Sequence, residues 1–346
     1  MTAADKDASL QPLLDRLGPR IEAELRRAFE GRDLPHYDLM RYHLGWQNGD
    51  GEGALRGKLV RPLLCLCACE AVGGDVETAL PLAAALELLH NFSLIHDDIE
   101  DKSSQRHGRD TLWRAFDVPL AVNAGDGMFA LAHVSLHRLL EAGVDARRFA
   151  AVSRLLDTAS LRLCEGQYLD LDLEKRLDVT AGDYLTMISG KTAALIAASA
   201  ASGALVGEAS PAVVSAFERF GEKLGLAFQV RDDLLGIWGE SRATGKPTGD
   251  DVRARKKSFP VVYALENASP SDRAALRAIY AKETLTDDDV ARAIAILERC
   301  NARARAQEAA ERFAADGLRL LDAIDLVPAR RRDLQRLAHY FVNRET

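Results

Sequence analysis

The sequence of 346 residues predicts an all-α protein that folds as a single domain. Apolar residues recur at spacings of three and four through most of the chain, which is the period of an amphipathic helix. The sequence contains no run of alternating β-branched residues, no internal repeat and no low-complexity linker. With 47% hydrophobic residues, the chain can form the sizeable core that one large domain requires.

Short turn-forming stretches divide the helical pattern into seven segments over the first two thirds of the chain. Glycine, proline and polar residues mark turns at 73–74, 141–145 and 207–211. The polar, charged stretch 239–260 follows the seventh segment and is predicted to be a loop, and helical patterns resume through 261–343. The predicted helices cover residues 8–29, 60–73, 79–101, 120–142, 146–174, 181–206 and 211–238.

The composition indicates a protein of a reducing compartment. The formal net charge of −7 argues against nucleic acid or an anionic membrane as a partner. Five cysteines, an odd number, indicate no disulfide framework. Cys65, Cys67 and Cys69 are two residues apart, so a helix points them in different directions and core packing is expected. Without a signal sequence or a membrane-spanning run, we expect a cytoplasmic protein with no stable membrane insertion.

An acidic cluster stands where one apolar helical segment ends, in SLIHDDIEDKSSQRHG at 93–108. Acids at a helix C-terminus are electrostatically misplaced, because the last carbonyls already carry partial negative charge. Asp97 and Asp101 are four residues apart and share one face of the helix. That spacing suits Mg²⁺, which takes carboxylate and phosphate oxygens. A solvated helix end is the alternative interpretation.

Zinc is not indicated, because the spacings of histidine and cysteine that bind zinc do not occur. His133 and His137 are four residues apart, but nothing nearby in the sequence completes a ligand set.

A second acidic pair, Asp232 and Asp233, lies near the end of the predicted helix 211–238. One such pair is weak evidence, since exposed acidic helix ends are common. Two long helices that each carry paired aspartates near their C-terminal ends are stronger evidence for one shared site.

Basic residues follow or precede these acids in short clusters. Each residue alone is typical of a solvated surface, but acids that recruit magnesium, together with Lys and Arg, describe a cavity for polyphosphate. The SGKT stretch at 189–192 is not a P-loop, because the preceding glycine and strand are missing. The basic residues are Lys58, Arg61, Arg106, Arg109, Lys191, Lys246, Arg253, Arg255, Lys256 and Lys257.

In this order, the motifs resemble those of the trans-isoprenyl diphosphate synthases, the polyprenyl synthetase family. DDIED at 97–101 is similar to the family's first aspartate-rich motif, and FQVRDD at 228–233 is similar to the second. GKLVRP, His90, GKT and GKPTGDDVRARKKSFP resemble the remaining signatures. The resemblance is strongest over residues 50–265. It predicts one prenyl synthase domain over 1–346, with an active-site loop at 239–260 and C-terminal helices over 261–346.

The resemblance implies helices around a deep central cavity, usually in a homodimer. It also implies the reaction: an allylic diphosphate ionises, isopentenyl diphosphate attacks the cation through its double bond, and a proton is lost. Magnesium, as three ions with substrate bound, is expected to bridge the aspartates and the diphosphate. Metal ions and basic side chains stabilise the departing diphosphate, and an aliphatic cavity keeps water from the cation.

The resemblance assigns a role to each matching residue. Asp97, Asp101 and Asp232 are the expected metal ligands, and Asp98, Asp233 and Lys191 complete the catalytic set. Lys58, Arg61 and His90 are expected to hold isopentenyl diphosphate. The residues expected to hold the allylic diphosphate are Arg106, Lys191, Thr192, Gln229, Lys246 and Lys256.

Two positions depart from the family pattern. His107 stands where the family commonly has the second arginine of a pair that faces isopentenyl diphosphate. The resemblance therefore puts His107 at a substrate-binding position, and Arg109 is a candidate to replace the missing arginine. Gly236 stands where the second motif commonly ends in aspartate. Because the first two aspartates of that motif are the main ligands, this change weakens the prediction little.

The residues below the first motif predict the product length. Ser93 is small and lies one turn before Asp97, and in the family the position of Phe92, five before the motif, lines the floor of the cavity. A single aromatic residue there, a small neighbour and no insertion in the motif resemble synthases of the twenty-carbon product. We predict geranylgeranyl diphosphate, with farnesyl or a longer polyprenyl diphosphate as alternatives.

Three other classes of protein were weighed against this one. A class I terpene cyclase takes one diphosphate, whereas Lys58, Arg61 and His90 provide for a second, and the 6% aromatic content is low for a cyclase pocket. A non-catalytic partner subunit would lose aspartates, but both pairs are present. A purely structural helical protein would not carry these acids and bases in the family's order.

Overall fold

The computed structural model describes residues 10–46, 58–239 and 248–344. These ranges form α-helices and one small hairpin, in which β1 (Gln105–Arg106) pairs antiparallel with β2 (Arg109–Asp110), and the all-α prediction is confirmed. The helices are α1 Gln11–Ala28, α2 Pro35–Leu44, α3 Val60–Ala71, α4 Val76–Glu100, α5 Leu112–Ala115, α6 Val118–Leu136, α7 Arg138–Glu141, α8 Ala146–Glu174, α9 Ala181–Ile188, α10 Ala194–Val206, α11 Pro211–Trp238, α12 Asp250–Arg253, α13 Phe259–Asn267, α14 Pro270–Tyr280, α15 Asp287–Arg299, α16 Ala302–Leu320 and α17 Pro328–Asn343.

All seven predicted segments are helical, and the differences are local. The segment 120–142 breaks at His137 into α6 and α7, and α9 continues into α10 through a π-helical turn, Ser189–Ala193. Helix α2 was not predicted, because its sequence PHYDLMRYHL is short and mixes polar and aromatic residues. The strands of the hairpin are two residues long, too short to show alternation.

The predicted loop 239–260 is partly helical in the described residues. It contains α12 and ends where α13 begins, at Phe259. The assignment of the whole chain to one domain stays a prediction.

The main core forms where α4, α10 and α11 pack among their neighbours. Helix α4 packs against α3 and α6, and α10 packs against α3, α8 and α11. The small residues of α10 allow this closeness: a Cβ at Gly203 would lie 2.1 Å from the carbonyl oxygen of Cys65 on α3. Cys65, Cys67 and Cys69 are buried and free, which confirms core packing.

In the described part of the chain, α4 is the one helix long and apolar enough to cross a membrane by length and composition. Most of its apolar window, 78%, is buried inside the protein, as expected for a core helix. Helix α4 begins at its Asp75 cap, whose carboxylate accepts a hydrogen bond from the Glu77 amide at 3.1 Å. It ends at Glu100, so the acids of the first motif lie on its last turn.

A smaller core lies beyond the C-terminal end of α11. Ile237 packs there with buried residues of α12 to α15, including Val252 and Val261. This core holds the segment 248–258 against the end of α11, next to the second acidic pair.

Candidate active site

The C-terminal ends of α4 and α11 meet at a cavity of about 520 Å³. Its walls bring together most of the predicted site residues, which are separated by up to 195 positions in the sequence. The predicted residues that line it are Arg61, His90, Phe92, Ser93, Asp97, Asp101, Arg106, Lys191, Thr192, Gln229, Asp232, Asp233 and Lys256.

Asp97 is the acid of the first cluster with the most cations around it. Its Oδ1 lies 3.1 Å from the Lys191 Nζ, and its Oδ2 lies 3.7 Å from the Arg106 guanidinium. Burial alone would raise the pKa of Asp97, but Lys191, Lys256 and Arg106 together lower it. The carboxylate is therefore held in its charged form. On the next turn, the Asp101 Oδ2 accepts a hydrogen bond from the Lys256 Nζ at 3.3 Å.

Asp98 does not line the cavity, and it supports the cluster through Arg106. Its side chain is 2% exposed and accepts hydrogen bonds of 2.9–3.1 Å from the Arg106 guanidinium. Burial raises the pKa of Asp98, and Arg106 opposes that rise. This bidentate contact fixes the orientation of the Arg106 guanidinium, and Arg106 lines the cavity.

The π-helical turn brings Lys191 into the cavity. A Cβ at Gly166 on α8 would lie 2.0 Å from the Lys191 backbone nitrogen, so glycine is required for α8 to approach this turn. The Lys191 Nζ donates to Asp170 Oδ2 at 2.6 Å. Burial would lower the pKa of Lys191, but Asp170 and Asp97 raise it. Asp170 was not predicted, because nothing in the sequence distinguishes it from Asp172 on the same helix.

The two aspartates of the second cluster have different surroundings. Asp233 is buried, and its carboxylate accepts hydrogen bonds from the Tyr184 hydroxyl at 2.6 Å, the Phe259 amide at 2.7 Å and the Gln229 side chain at 3.0 Å. Burial raises its pKa to about 7, and these hydrogen bonds oppose the rise. Asp233 therefore ties α11 to α9 and to the start of α13. Neither Tyr184 nor this role was predicted.

Asp232 faces the cavity, and its side chain is 54% exposed. Its Oδ1 lies 2.7 Å from the guanidinium of Arg344, which follows α17 near the end of the chain. The Arg344 guanidinium also lies over the Phe228 ring, 3.7 Å from its centroid. Arg344 lies outside the motifs and was not predicted.

Thr192 and Gln229 form a short polar chain between the π-helical turn and α11. The Thr192 hydroxyl donates to Gln229 Oε1 at 2.6 Å, and Gln229 donates onward to Asp233. Both predicted residues therefore lie together on the cavity wall.

Arg61 and His90 form a second basic region deeper in the protein. Burial lowers the pKa of Arg61 to about 10, and the buried Glu87 on α4 opposes this. Burial, with the charges of Arg61 and Arg106, lowers the pKa of His90. Glu87 was not predicted, although a lone acid in the apolar run PLAAALELLH is a signal that could have identified it.

Lys58 lies near this region but does not line the cavity. Burial and the charge of Arg344 lower its pKa to about 8. Its Nζ lies 5.7 Å from the centroid of the Tyr340 ring on α17. Lys246, also predicted, lies outside the described residues.

His107 lies at the turn of the hairpin, with a φ of 51°. It lines a separate small cavity with His43 of α2 and does not line the large one. Arg109 packs over the Tyr42 ring at 4.2 Å and also faces the small cavity. Neither residue lines the large cavity, and a contact of either with substrate stays a prediction.

Phe92 and Ser93 line the cavity below Asp97. The Phe92 ring is 7% exposed and lies 5.0 Å from the Phe129 ring of α6. The Ser93 hydroxyl donates to the His90 carbonyl at 2.7 Å, so no other polar partner is required at this depth. Both residues are in position to contact a chain that extends from the aspartates.

Other groups of possible metal ligands are occupied by protein contacts. Among the described residues, Cys67, Glu70 and Asp333 bring ligand atoms within 4.8 Å of one another, but Arg16 pairs with both acids. His133 contacts Asp157 Oδ1 at 2.8 Å and the Phe129 carbonyl at 2.9 Å.

The chain is similar to known proteins over most of its length. The sequence matches the polyprenyl synthetase family over residues 53–297. It is 43% identical over 316 residues to the geranylgeranyl diphosphate synthase of Mycobacterium tuberculosis (strain ATCC 25618 / H37Rv), covering 90% of this chain and 89% of the relative. It is 37% identical over 339 residues to the (2E,6E)-farnesyl diphosphate synthase of Mycobacterium bovis (strain ATCC BAA-935 / AF2122/97), covering 96% and 93%.

The fold agrees as well. The crystal structure of a polyprenyl synthetase from Streptomyces coelicolor A3(2) superimposes with a TM-score of 0.87 at 36% identity, covering 97% of this chain and 100% of the other. The chain therefore belongs to the polyprenyl synthetase family. It is an enzyme, a prenyltransferase of the trans-isoprenyl diphosphate synthase type.

Proposed function

We propose that the chain condenses isopentenyl diphosphate with allylic diphosphates and that its main product is geranylgeranyl diphosphate. The observation that carries this proposal is a single cavity that joins both aspartate clusters and five Lys and Arg side chains to an apolar region lined by Phe92. The relative with 43% identity bears the name of a geranylgeranyl diphosphate synthase, which supports the same product.

The carboxylates fit magnesium, which prefers hard oxygen ligands. Asp97, Asp101 and Asp232 line one cavity, and the buried Asp97 Oδ1 lacks a hydrogen bond of good geometry despite the nearby Lys191. We assign these three side chains as the ligands, with three ions bound when substrate is present. Bound magnesium would stabilise the negative charge that develops on the diphosphate as its C–O bond breaks.

The basic side chains around the first aspartate cluster would hold the allylic diphosphate. Lys191 and Lys256 are kept charged by the acids around them, so both can bind phosphate oxygens without a proton transfer. Arg106 is aimed by Asp98, and Thr192 and Gln229 supply a hydroxyl and an amide. The resemblance adds Lys246 to this set.

The second basic region would hold isopentenyl diphosphate. Arg61 and His90 lie on the cavity wall, and Lys58 is close enough to Asp232 for their charges to interact. A diphosphate at this region would restore the charge balance of the buried Arg61. Arg61 and His90 share one cavity with both aspartate clusters, so both diphosphates would bind within it.

Phe92 is proposed as the residue that ends chain growth. It is packed against Phe129 and cannot turn aside without opening the core between α4 and α6. Ser93 leaves room for the chain to descend past the first turn. The apolar wall below the aspartates would also exclude water from the cation.

We further propose a cytoplasmic homodimer. Helices α6 and α8 expose large apolar side chains, which a second copy would cover, and the free cysteines suit a reducing compartment. Light scattering should give twice the chain mass, and Leu161→Glu should shift the protein toward monomer. Leu161→Ser, which is polar but uncharged, is the matched control for charge. The exposed residues are Leu120, Val134, Leu161 and Tyr168.

The test of the function is a condensation assay with purified protein, magnesium, labelled isopentenyl diphosphate and allylic primers of five, ten and fifteen carbons. A chelator-sensitive twenty-carbon product is expected. A main product shorter or longer than twenty carbons would contradict the role of Phe92 but keep the enzyme class. A hydrocarbon or alcohol released from one allylic diphosphate alone would indicate a cyclase.

Two variants separate a loss of catalysis from a loss of folding. Asp97→Asn should reduce kcat by about a hundredfold or more, because a charged ligand is lost. Asp178→Asn, a similar change at an exposed aspartate outside the cavity, should retain full activity. Equal activity of the two variants would contradict the assignment of Asp97.

A further inference from the structure

Gly236, which departs from the family pattern, lies directly against an acidic side chain from another segment. A Cβ built on Gly236 would come 1.9 Å from Oδ2, 2.4 Å from Cγ and 2.9 Å from Oδ1 of Asp251. The three nearest atoms all belong to one carboxylate, so this carboxylate fills the volume where a side chain at position 236 would begin. Asp251 is on α12 and lines the large cavity.

The segment 248–258 is attached to α11 on both sides of this contact. The Gly249 amide donates to the Ile237 carbonyl at 3.1 Å, and the Phe259 amide donates to Asp233 at 2.7 Å. Asp251 lies between these attachments, and its carbonyl accepts a hydrogen bond from the Lys256 amide at 2.9 Å. The placement of Asp251 against α11 is therefore coupled to the placement of Lys256.

Lys256 connects this segment to the first aspartate cluster. Its Nζ reaches Asp101 Oδ2 at 3.3 Å, across the cavity from α11. The negative charges that surround it are those of Asp101 first and then Asp251, Asp170 and Asp97. Removal of the Asp251 carboxylate would therefore take away one of the three contacts that hold the segment against α11 and would weaken the field that holds Lys256.

We propose that Gly236 and Asp251 form one joint in which the Asp251 carboxylate takes the place of a side chain at position 236 and positions Lys256 for the allylic diphosphate. Asp251 is a positioning residue, since it acts through Lys256. The missing aspartate of the second motif is thus replaced from the neighbouring segment. The effect on substrate rests on the proposed function, whereas the joint itself does not.

The test exchanges the carboxylate between the two positions. Asp251→Ala should raise the KM for the allylic diphosphate roughly tenfold and leave the KM for isopentenyl diphosphate within about twofold. Gly236→Asp combined with Asp251→Ala returns a carboxylate to the same volume from the helix side, and most of the loss should be recovered. Gly236→Asp alone places two carboxylates in one volume and should impair the enzyme.

A second readout follows the joint without any activity. Trypsin can cleave the segment after Arg253, Arg255, Lys256 or Lys257, and release of the segment from α11 should make cleavage faster. Asp251→Ala should be cleaved several-fold faster than the wild type, and the exchanged double variant should return toward the wild-type rate. Asp250→Ala, a neighbouring acid outside the cavity lining, is the matched control and should match the wild type in cleavage and KM.

The outcomes distinguish the joint from the proposed function. If Asp251→Ala matches the wild type in KM and in cleavage, or if the double variant is as impaired as Asp251→Ala, the joint is wrong. If the wild type forms no condensation product, the proposed function fails. Faster cleavage of Asp251→Ala than of Asp250→Ala would support the joint even then.

Discussion

The contact between Asp232 and Arg344 gives a prediction about magnesium. The predicted metal ligand Asp232 is paired at 2.7 Å with a guanidinium that is 7% exposed. Magnesium at Asp232 must compete with this guanidinium. Arg344→Gln removes the competing charge while keeping a long polar side chain, so the magnesium concentration for half-maximal activity should fall.

The size of the effect follows from the surroundings of the pair. Two unit charges 2.7 Å apart interact by about 6 kcal/mol at an effective dielectric near 20. However, the Asp232 side chain is 54% exposed, and pairs with an exposed partner are worth about 1 kcal/mol. The lower value decides the prediction, because water solvates Asp232 once Arg344 leaves. The half-saturating magnesium concentration should therefore fall about fivefold.

The assay measures product formation against magnesium concentration with both substrates saturating, and direct binding of Mn²⁺ by electron paramagnetic resonance. Arg332→Gln, an exposed arginine on α17, is the control and should behave as the wild type. An unchanged or higher half-saturating concentration in Arg344→Gln would show that the guanidinium does not compete for Asp232.

Four further variants test other parts of the site. Phe92→Ala should lengthen the product, and Ser93→Phe should shorten it toward fifteen carbons, as read by chromatography of labelled products; an unchanged spectrum would contradict the floor assignment. Lys58 loses its charge as pH rises through its lowered pKa of about 8, so the KM for isopentenyl diphosphate should rise between pH 7 and pH 9, and Lys58→Arg should remove that rise. A parallel rise in both proteins would refute the assignment. Asp233 has a pKa raised to about 7, so the folded state binds its proton more tightly than the unfolded state and stability should fall between about pH 4 and pH 7. In Asp233→Asn this pH dependence of the melting temperature should be weaker, and equal slopes would contradict the role of Asp233.

The sequence predicted the helices and the motif residues because both leave a local signal. The apolar period of α4 and the acids at its end are visible within 25 residues. The partners of those acids are not visible in any stretch of that length. Asp170 and Asp251 reach the cavity, and Arg344 reaches Asp232, through the packing of helices that are distant in the sequence. Only Glu87, an acid inside an apolar run, carried a local signal that could have been used.

Local patterns also could not reveal which predicted residues face the cavity. Asp232 and Asp233 are adjacent in sequence but point in different directions from the helix. The Asp232 carboxylate is exposed, whereas the Asp233 carboxylate accepts hydrogen bonds from three protein donors. His107 and Arg109 were considered from the family pattern, whereas the turn of the hairpin directs both toward a smaller cavity. These directions depend on the packing of α2 and α11 and not on the motifs themselves.

The acids at the ends of α4 and α11 are tolerated because each predicted metal ligand already has its own cation. Lys191 lies 3.1 Å from Asp97, Lys256 lies 3.3 Å from Asp101, and Arg344 lies 2.7 Å from Asp232. Metal ions can take the carboxylates only if these cations find other anions, and a diphosphate provides them. Metal without diphosphate would separate Lys256 and Arg344 from their acids and leave Lys191 with Asp170 alone, whereas a diphosphate would give all three cations new partners. We therefore expect the binding of metal to be coupled to the binding of diphosphate.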